Sequence, residues 1–136
     1  MPDRIDRKTA IRLLSKYKPR GWIAATLDVN KRYHTGLCLF DDHVIYCPPI
    51  TGVHNLQVFL HEVYHARHHS WSVREIPPHI MEYEAETWSI AELGHLGYEV
   101  STTIVKNAKA YVTSVLHDDR RCGFAIDPVV ENWCLD

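Results

Sequence analysis

The chain is short of several things at once. It has only four cysteines, Cys38, Cys47, Cys122 and Cys134, and no C-x-x-C pair. That spacing argues against a cysteine-based zinc site and leaves free thiols as the simplest state, although Cys38 and Cys47 could approach each other across a hairpin. No apolar run approaches the roughly 20 residues that span a bilayer. The opening MPDRIDRKTA has no hydrophobic signal region, so we expect a protein made and kept in the cytosol, with no membrane partner. The net charge is only −2, which gives no electrostatic basis for general nucleic-acid binding. Most Lys and Arg residues lie in the first third of the chain, and this reads as a solvated face. There are no internal repeats and no low-complexity segment.

What is present is the composition of a globular protein, 46% hydrophobic and 24% charged, and 136 residues suit one domain with a real core. Residues 7–17, RKTAIRLLSKY, carry apolar side chains at helical spacing, and Pro19 and Gly21 stop that helix. WIAATLDV, residues 22–29, reads as a strand followed by the polar connection NKRYHTG. LCLF and HVIYC form a hairpin through Asp41 and Asp42, and Pro48 and Pro49 end its second strand. Thr51 is placed to cap a helix over residues 53–69. Further helices are expected over residues 80–96 and 102–117, with a short helical turn that packs Trp133 at the end. The fold class is α+β in a single domain, residues 1–136: an N-terminal helix, a small sheet with a hairpin, then two or three helices.

The stretch FLHEVYHARHH, residues 59–69, holds four of the ten histidines. Within it His61, Glu62 and His65 form H-E-x-x-H. A helix turns 100° and rises 1.5 Å per residue, so His61 and His65 lie about 40° apart and about 6 Å along the axis. Two imidazoles at that spacing converge on one ion, and neutral nitrogen donors suit Zn²⁺. Glu62, one residue on, reaches a metal-held water without being a ligand, where a carboxylate acts as general base. With ten His and eight Glu, a shuffled chain contains this motif roughly 0.04 times, so its context must carry the reading.

The context is the following helix, which opens MEYEAETWS and offers Glu82, Glu84 and Glu86. An open zinc site needs a third protein ligand. Glu82 and Glu86 share a face at i and i+4, whereas Glu84 points about 200° away from Glu82. One face can therefore supply a ligand, Glu82, and an acceptor, Glu86, for the far N–H of a ligand histidine.

LHEVYHA followed by EYEAETWS resembles the gluzincin metallopeptidases, and the order of hairpin, motif helix and glutamate helix is similar to the compact ImmA/IrrE-like family. The likeness covers residues 36–91, less than half of the chain. It implies a minimal zincin-like fold and a zinc-dependent endopeptidase acting on a protein or peptide, such as a regulatory protein. By this resemblance His61 and His65 are ligands, Glu62 is the general base and Glu82 is the third ligand, with Glu84 as the alternative. It also implies that HVIYC is the edge strand that pairs with an extended substrate. The chain departs from the family pattern at Glu86 (for Asp or Asn), Trp88 (for Phe) and Ser89 (for Ala). A competing reading keeps the metal but not the activity: a catalytically inactive, zinc-stabilised protein-interaction module.

Remaining candidates have plainer readings. His68 lies near the His61/His65 face, yet His68 and His69 read as surface histidines, and His79 reads as a turn or capping residue. Tyr64, Tyr83, His54 and His79 are candidate oxyanion donors by proximity. Trp71, Trp88 and Trp133 read as packing residues, and the DDRR stretch, residues 118–121, as a solvated turn.

Overall fold

The computed structural model describes residues 4–26, 36–69 and 75–136. Its described elements run α1 (Arg7–Tyr17), β1 (Ile23–Thr26), β2 (Leu37–Leu39), β3 (Val44–Cys47), α2 (Val53–His68), α3 (Pro78–His95), α4 (Thr102–Arg121) and α5 (Pro128–Leu135). The architecture is α+β, with five helices and one three-stranded mixed sheet among these residues. Residues 27–29 of the expected first strand, most of the polar connection and Trp71 lie outside the described residues.

Local chemistry fixes the ends of most elements. Asp6 accepts the Thr9 backbone N–H at 2.7 Å and starts α1. Ser101 accepts from Ile104 at 3.2 Å at the head of α4, and Asp127 does the same for Val129 at 2.8 Å before α5. Gly97 and Gly123, at φ +89 and +89, end α3 and α4. In each case the next residue bonds back across the last turn, Tyr98 N–H to Leu93 O and Phe124 N–H to Asp119 O, both at 3.0 Å. Thr51 is not the cap of α2. Gly52 takes that position without a side-chain bond, because the Thr51 carbonyl is engaged by Ile5 N–H and its hydroxyl by Asn55.

The strands lie in the order β1-β3-β2, with β3 parallel to β1 and antiparallel to β2. HVIYC is therefore the central strand and not an edge. Its buried residues, Ile45 and Cys47, face the core, and a strand with that much to bury gains by taking neighbours on both sides. Cys38 stands opposite Ile45 and not Cys47, and all four cysteines are free.

Helix α2 is the centre of the molecule. Leu56, Phe59, Leu60 and Val63 are fully buried in the main core with Ile45, Tyr17, Trp22 and Leu93. Its opposite side is buried too, but carries Gln57, His61, Glu62 and His65. A helix enclosed nearly all round must find partners for every polar side chain it takes inside. Among the described residues, no helix is long and apolar enough to cross a membrane.

A second core, Val112, Leu116 and Val130 with Ile80, Tyr83 and Trp133 packed against it, ties α4 and α5 to α3. The DDRR stretch is the last turn of α4; Asp118, Arg120 and Arg121 are solvated there as expected, but Asp119 is buried at 5% exposure. Asp119 Oδ2 accepts from the His79 backbone N–H at 2.8 Å and lies 2.6 Å from His79 Nδ1, while the Asp127 N–H donates to His79 Nε2 at 3.1 Å. His79 is thus a fully buried pin between α3, α4 and the start of α5. Asp119→Ala strands two buried donors and is expected to cost about 2–4 kcal/mol in denaturant unfolding, well above a surface carboxylate such as Asp118. Equal effects at the two positions would contradict this assignment.

Candidate metal centre

The site is made where α2 and α3 face each other. His61 and His65 stand one turn apart on α2, with their Nε2 atoms 3.1 Å from one another. From α3, Glu82 Oε1 lies 3.0 Å from His61 Nε2 and 2.8 Å from His65 Nε2. Among the described residues these three form a group able to hold a metal ion, with one donor atom from each within 4.8 Å of the others. Tetrahedral zinc with ligand bonds of about 2.0–2.1 Å separates its donors by about 3.3 Å, so the observed spacing fits that ion closely. The donor chemistry fits as well. Two imidazole nitrogens and a carboxylate oxygen are donors that suit Zn²⁺.

Each ligand candidate has an outer partner. His61 Nδ1 lies 2.7 Å from Glu86 Oε1, although the contact is out of line for a good hydrogen bond. Glu86 is steadied from behind, since Gln57 Nε2 donates to its Oε2 at 3.1 Å and to Ser89 Oγ at 2.9 Å. Glu86 and Ser89 therefore work together: the acid reaches His61 and the serine holds the glutamine that bonds it. On the other side, His65 Nδ1 meets His69 Nδ1 at 2.9 Å, and His69 Nε2 meets Glu84 Oε1 at 2.7 Å. Glu84 consequently turns to His69 and away from the His61/His65/Glu82 group. His69 is 1% exposed and is not a surface histidine, whereas His68 is exposed and stacks near Tyr64.

Electrostatics follow from enclosing so many ionisable groups. Burial pushes the Glu62 carboxyl up to about 7, partly opposed by His61 and reinforced by Glu82 and Glu86. Burial also opposes charge on His61 and on Glu82, but their mutual bonds win, so His61 is raised well above the usual histidine range and Glu82 is lowered. Burial holds His69 below its ordinary value against the pull of Glu84. The Cys38 thiol beside the site is pushed up to about 12 by burial, with Glu62 and Glu82 adding, so it stays protonated.

Glu62 opens onto two adjoining clefts. One of about 380 Å³ is walled by Val58, Ile104, Ala108 and Tyr111, with His54 and Asn107 at its polar side. The other, about 230 Å³, runs along Leu37, Cys38 and Phe40 to Met81 and Glu82. Both are lined by Gly36, His61, Glu62 and Tyr111, so together they cross the centre as one groove. A larger hollow of about 670 Å³ is lined by α4 alone and includes no residue of the centre.

Tyr111 is the residue that sequence reasoning missed. It reads as one apolar position on α4, yet its hydroxyl lies 3.3 Å from Glu82 Oε2 and its ring lies against His61. The residue is 45% exposed, but the hydroxyl end is shielded, and this shielding together with Glu82 and Glu62 raises its pKa and keeps the proton on. Of the expected donors, His54 lines the groove. Tyr64 packs on Trp88, Tyr83 packs on Trp133, and His79 is pinned by Asp119. No periodicity separates a buried apolar tyrosine from one whose hydroxyl reaches a site, so only the α3–α4 packing could reveal it.

Comparison with protein-family models, with curated proteins and with solved structures gives no match.

Gly36 sets where Glu62 can stand. A Cβ there would meet Glu62 Cγ at 2.6 Å and Oε2 at 2.9 Å. Gly36→Ala is expected to cost about 1–3 kcal/mol by overpacking. In a Gly36→Ala/Glu62→Ala double variant most of that penalty should vanish, and strictly additive penalties would contradict the contact.

Proposed function

We propose that the chain is a zinc-dependent metallopeptidase of gluzincin type, an endopeptidase that resembles the compact ImmA/IrrE-like family. The observation that carries this reading is the convergence of His61 Nε2, His65 Nε2 and the Glu82 carboxylate, with Glu62 beside them on the groove. His61, His65 and Glu82 would hold the ion. When bound, zinc supplies Lewis acidity toward water and toward a peptide carbonyl.

The chain's own residues supply the rest. The Glu62 carboxylate, 4.0 Å from His61 Nε2, takes a proton from the attacking water and delivers it to the departing amine nitrogen. The Tyr111 hydroxyl is the one side-chain O–H lining either cleft among the described residues, and it is the donor best placed for negative charge on the carbonyl oxygen. The substrate is a peptide or protein segment laid along the groove. Strand β2 contributes Leu37 and Cys38 to its wall and has β3 on one side only among the described residues. Main-chain pairing with an extended substrate therefore falls to β2, where the strand-addition mode needs a free edge. A cytosolic setting agrees with four free cysteines. Nucleic acid and membrane have no part in this reading.

Glu62→Gln tests the assignment. The variant is expected to keep its zinc and to lose at least about 100-fold in cleavage of an unbiased peptide library read by mass spectrometry. Undiminished cleavage would remove Glu62 from its role. A zinc-loaded wild type that cleaves nothing while still performing its biological effect would favour the inactive interaction module instead.

A further inference from the structure

His69 lies one turn beyond His65, at the same i+4 spacing that separates His65 from His61, so all three imidazoles share one face of α2. It does not join the ligand group. Its Nδ1 approaches His65 on the Nδ1 side, away from the Nε2 atoms that meet Glu82. The ring is fixed in place: it is 1% exposed, Tyr64 stands against it at 5.3 Å between centroids, and Trp88 backs Tyr64 at 5.5 Å.

Two ring nitrogens at 2.9 Å form a hydrogen bond only if one carries a hydrogen and the other a lone pair. A neutral His65 that gives its Nε2 lone pair to a metal must carry its hydrogen on Nδ1. That hydrogen then points at His69 Nδ1, which has to accept. The His69 hydrogen is thereby placed on Nε2, and Nε2 is the atom that faces Glu84 Oε1 at 2.7 Å. Every group in the series has one consistent role, and the direction runs from the centre out to a carboxylate whose side chain is 39% exposed. His61 has a carboxylate, Glu86, within 2.7 Å of its far nitrogen though out of line, whereas His65 reaches one only through a second imidazole.

We propose that His69 and Glu84 are positioning residues for the metal centre: a two-bond relay that locks His65 in its Nδ1–H tautomer, aims its Nε2 at the ion and raises metal affinity. The inference rests on His61, His65 and Glu82 being a metal site. Partners that orient a ligand histidine in this way typically change metal affinity by about 10- to 100-fold.

The test is zinc affinity by competition with a chromogenic chelator on the full chain, for wild type, His69→Leu and His69→Asn. Leucine keeps bulk but accepts nothing; the asparagine carbonyl oxygen stands near the position of Nδ1 and can accept from His65. We expect zinc binding about 10- to 100-fold weaker in His69→Leu and largely restored in His69→Asn. A purely packing role for His69 would not favour asparagine over leucine. A two-bond proton–nitrogen spectrum of the zinc-loaded wild type should show hydrogen on His65 Nδ1 and on His69 Nε2, and this decides the matter if His69→Leu does not fold. Wild-type affinity in His69→Leu, or a hydrogen on His69 Nδ1, overturns the relay alone. A wild type that binds no zinc overturns the metal centre and the relay with it.

Discussion

Two imidazole nitrogens 3.1 Å apart, both facing one carboxylate across a helix interface, are the constraint around which the rest of this molecule is arranged. His61, Glu62, His65 and Glu86 are each less than a tenth exposed. Enclosing that many ionisable groups is unfavourable unless each finds a partner. Most of these groups have one: Glu82 between the two histidines, Gln57 on Glu86, and His69 with Glu84 behind His65, while Glu86 stands close to His61 Nδ1 but out of line. The inner three are a donor set able to hold a metal ion.

The fold serves that arrangement. Helix α2 gives one side to the aliphatic core and the other to polar groups, which requires cover on every side. The sheet covers it through Ile45 and Cys47, α3 brings the carboxylates, and α4 brings Tyr111. Helix α4 is in turn held by the buried Asp119–His79 contact and the small second core.

Much of this was legible in the sequence because its signals are short-range. The helix spans, the hairpin through Asp41 and Asp42, and the convergence of His61 and His65 follow from periodicity and turn chemistry within a few residues. Glu82 and Glu86 share a face by the same rule, and Glu84 lies off it. Other features depend on packing between distant segments. That β3 lies inside the sheet rests on its parallel pairing with β1, about 20 residues earlier. The burial of Asp119 and the reach of Tyr111 depend on how α3 meets α4. His69 is a different case. Its i+4 relation to His65 was available, but a histidine at the end of a helix and a solvated one look alike until Glu84 is placed beside it.

The central claim is that α2 and α3 bind one metal ion through His61, His65 and Glu82. Elemental mass spectrometry on untagged protein, purified with excess zinc and then desalted, tests it most directly. The account predicts one zinc per chain in the wild type, and none in His65→Ala or Glu82→Ala. Stoichiometric zinc that survives the loss of His65 and Glu82, or a wild type that holds none, would contradict it.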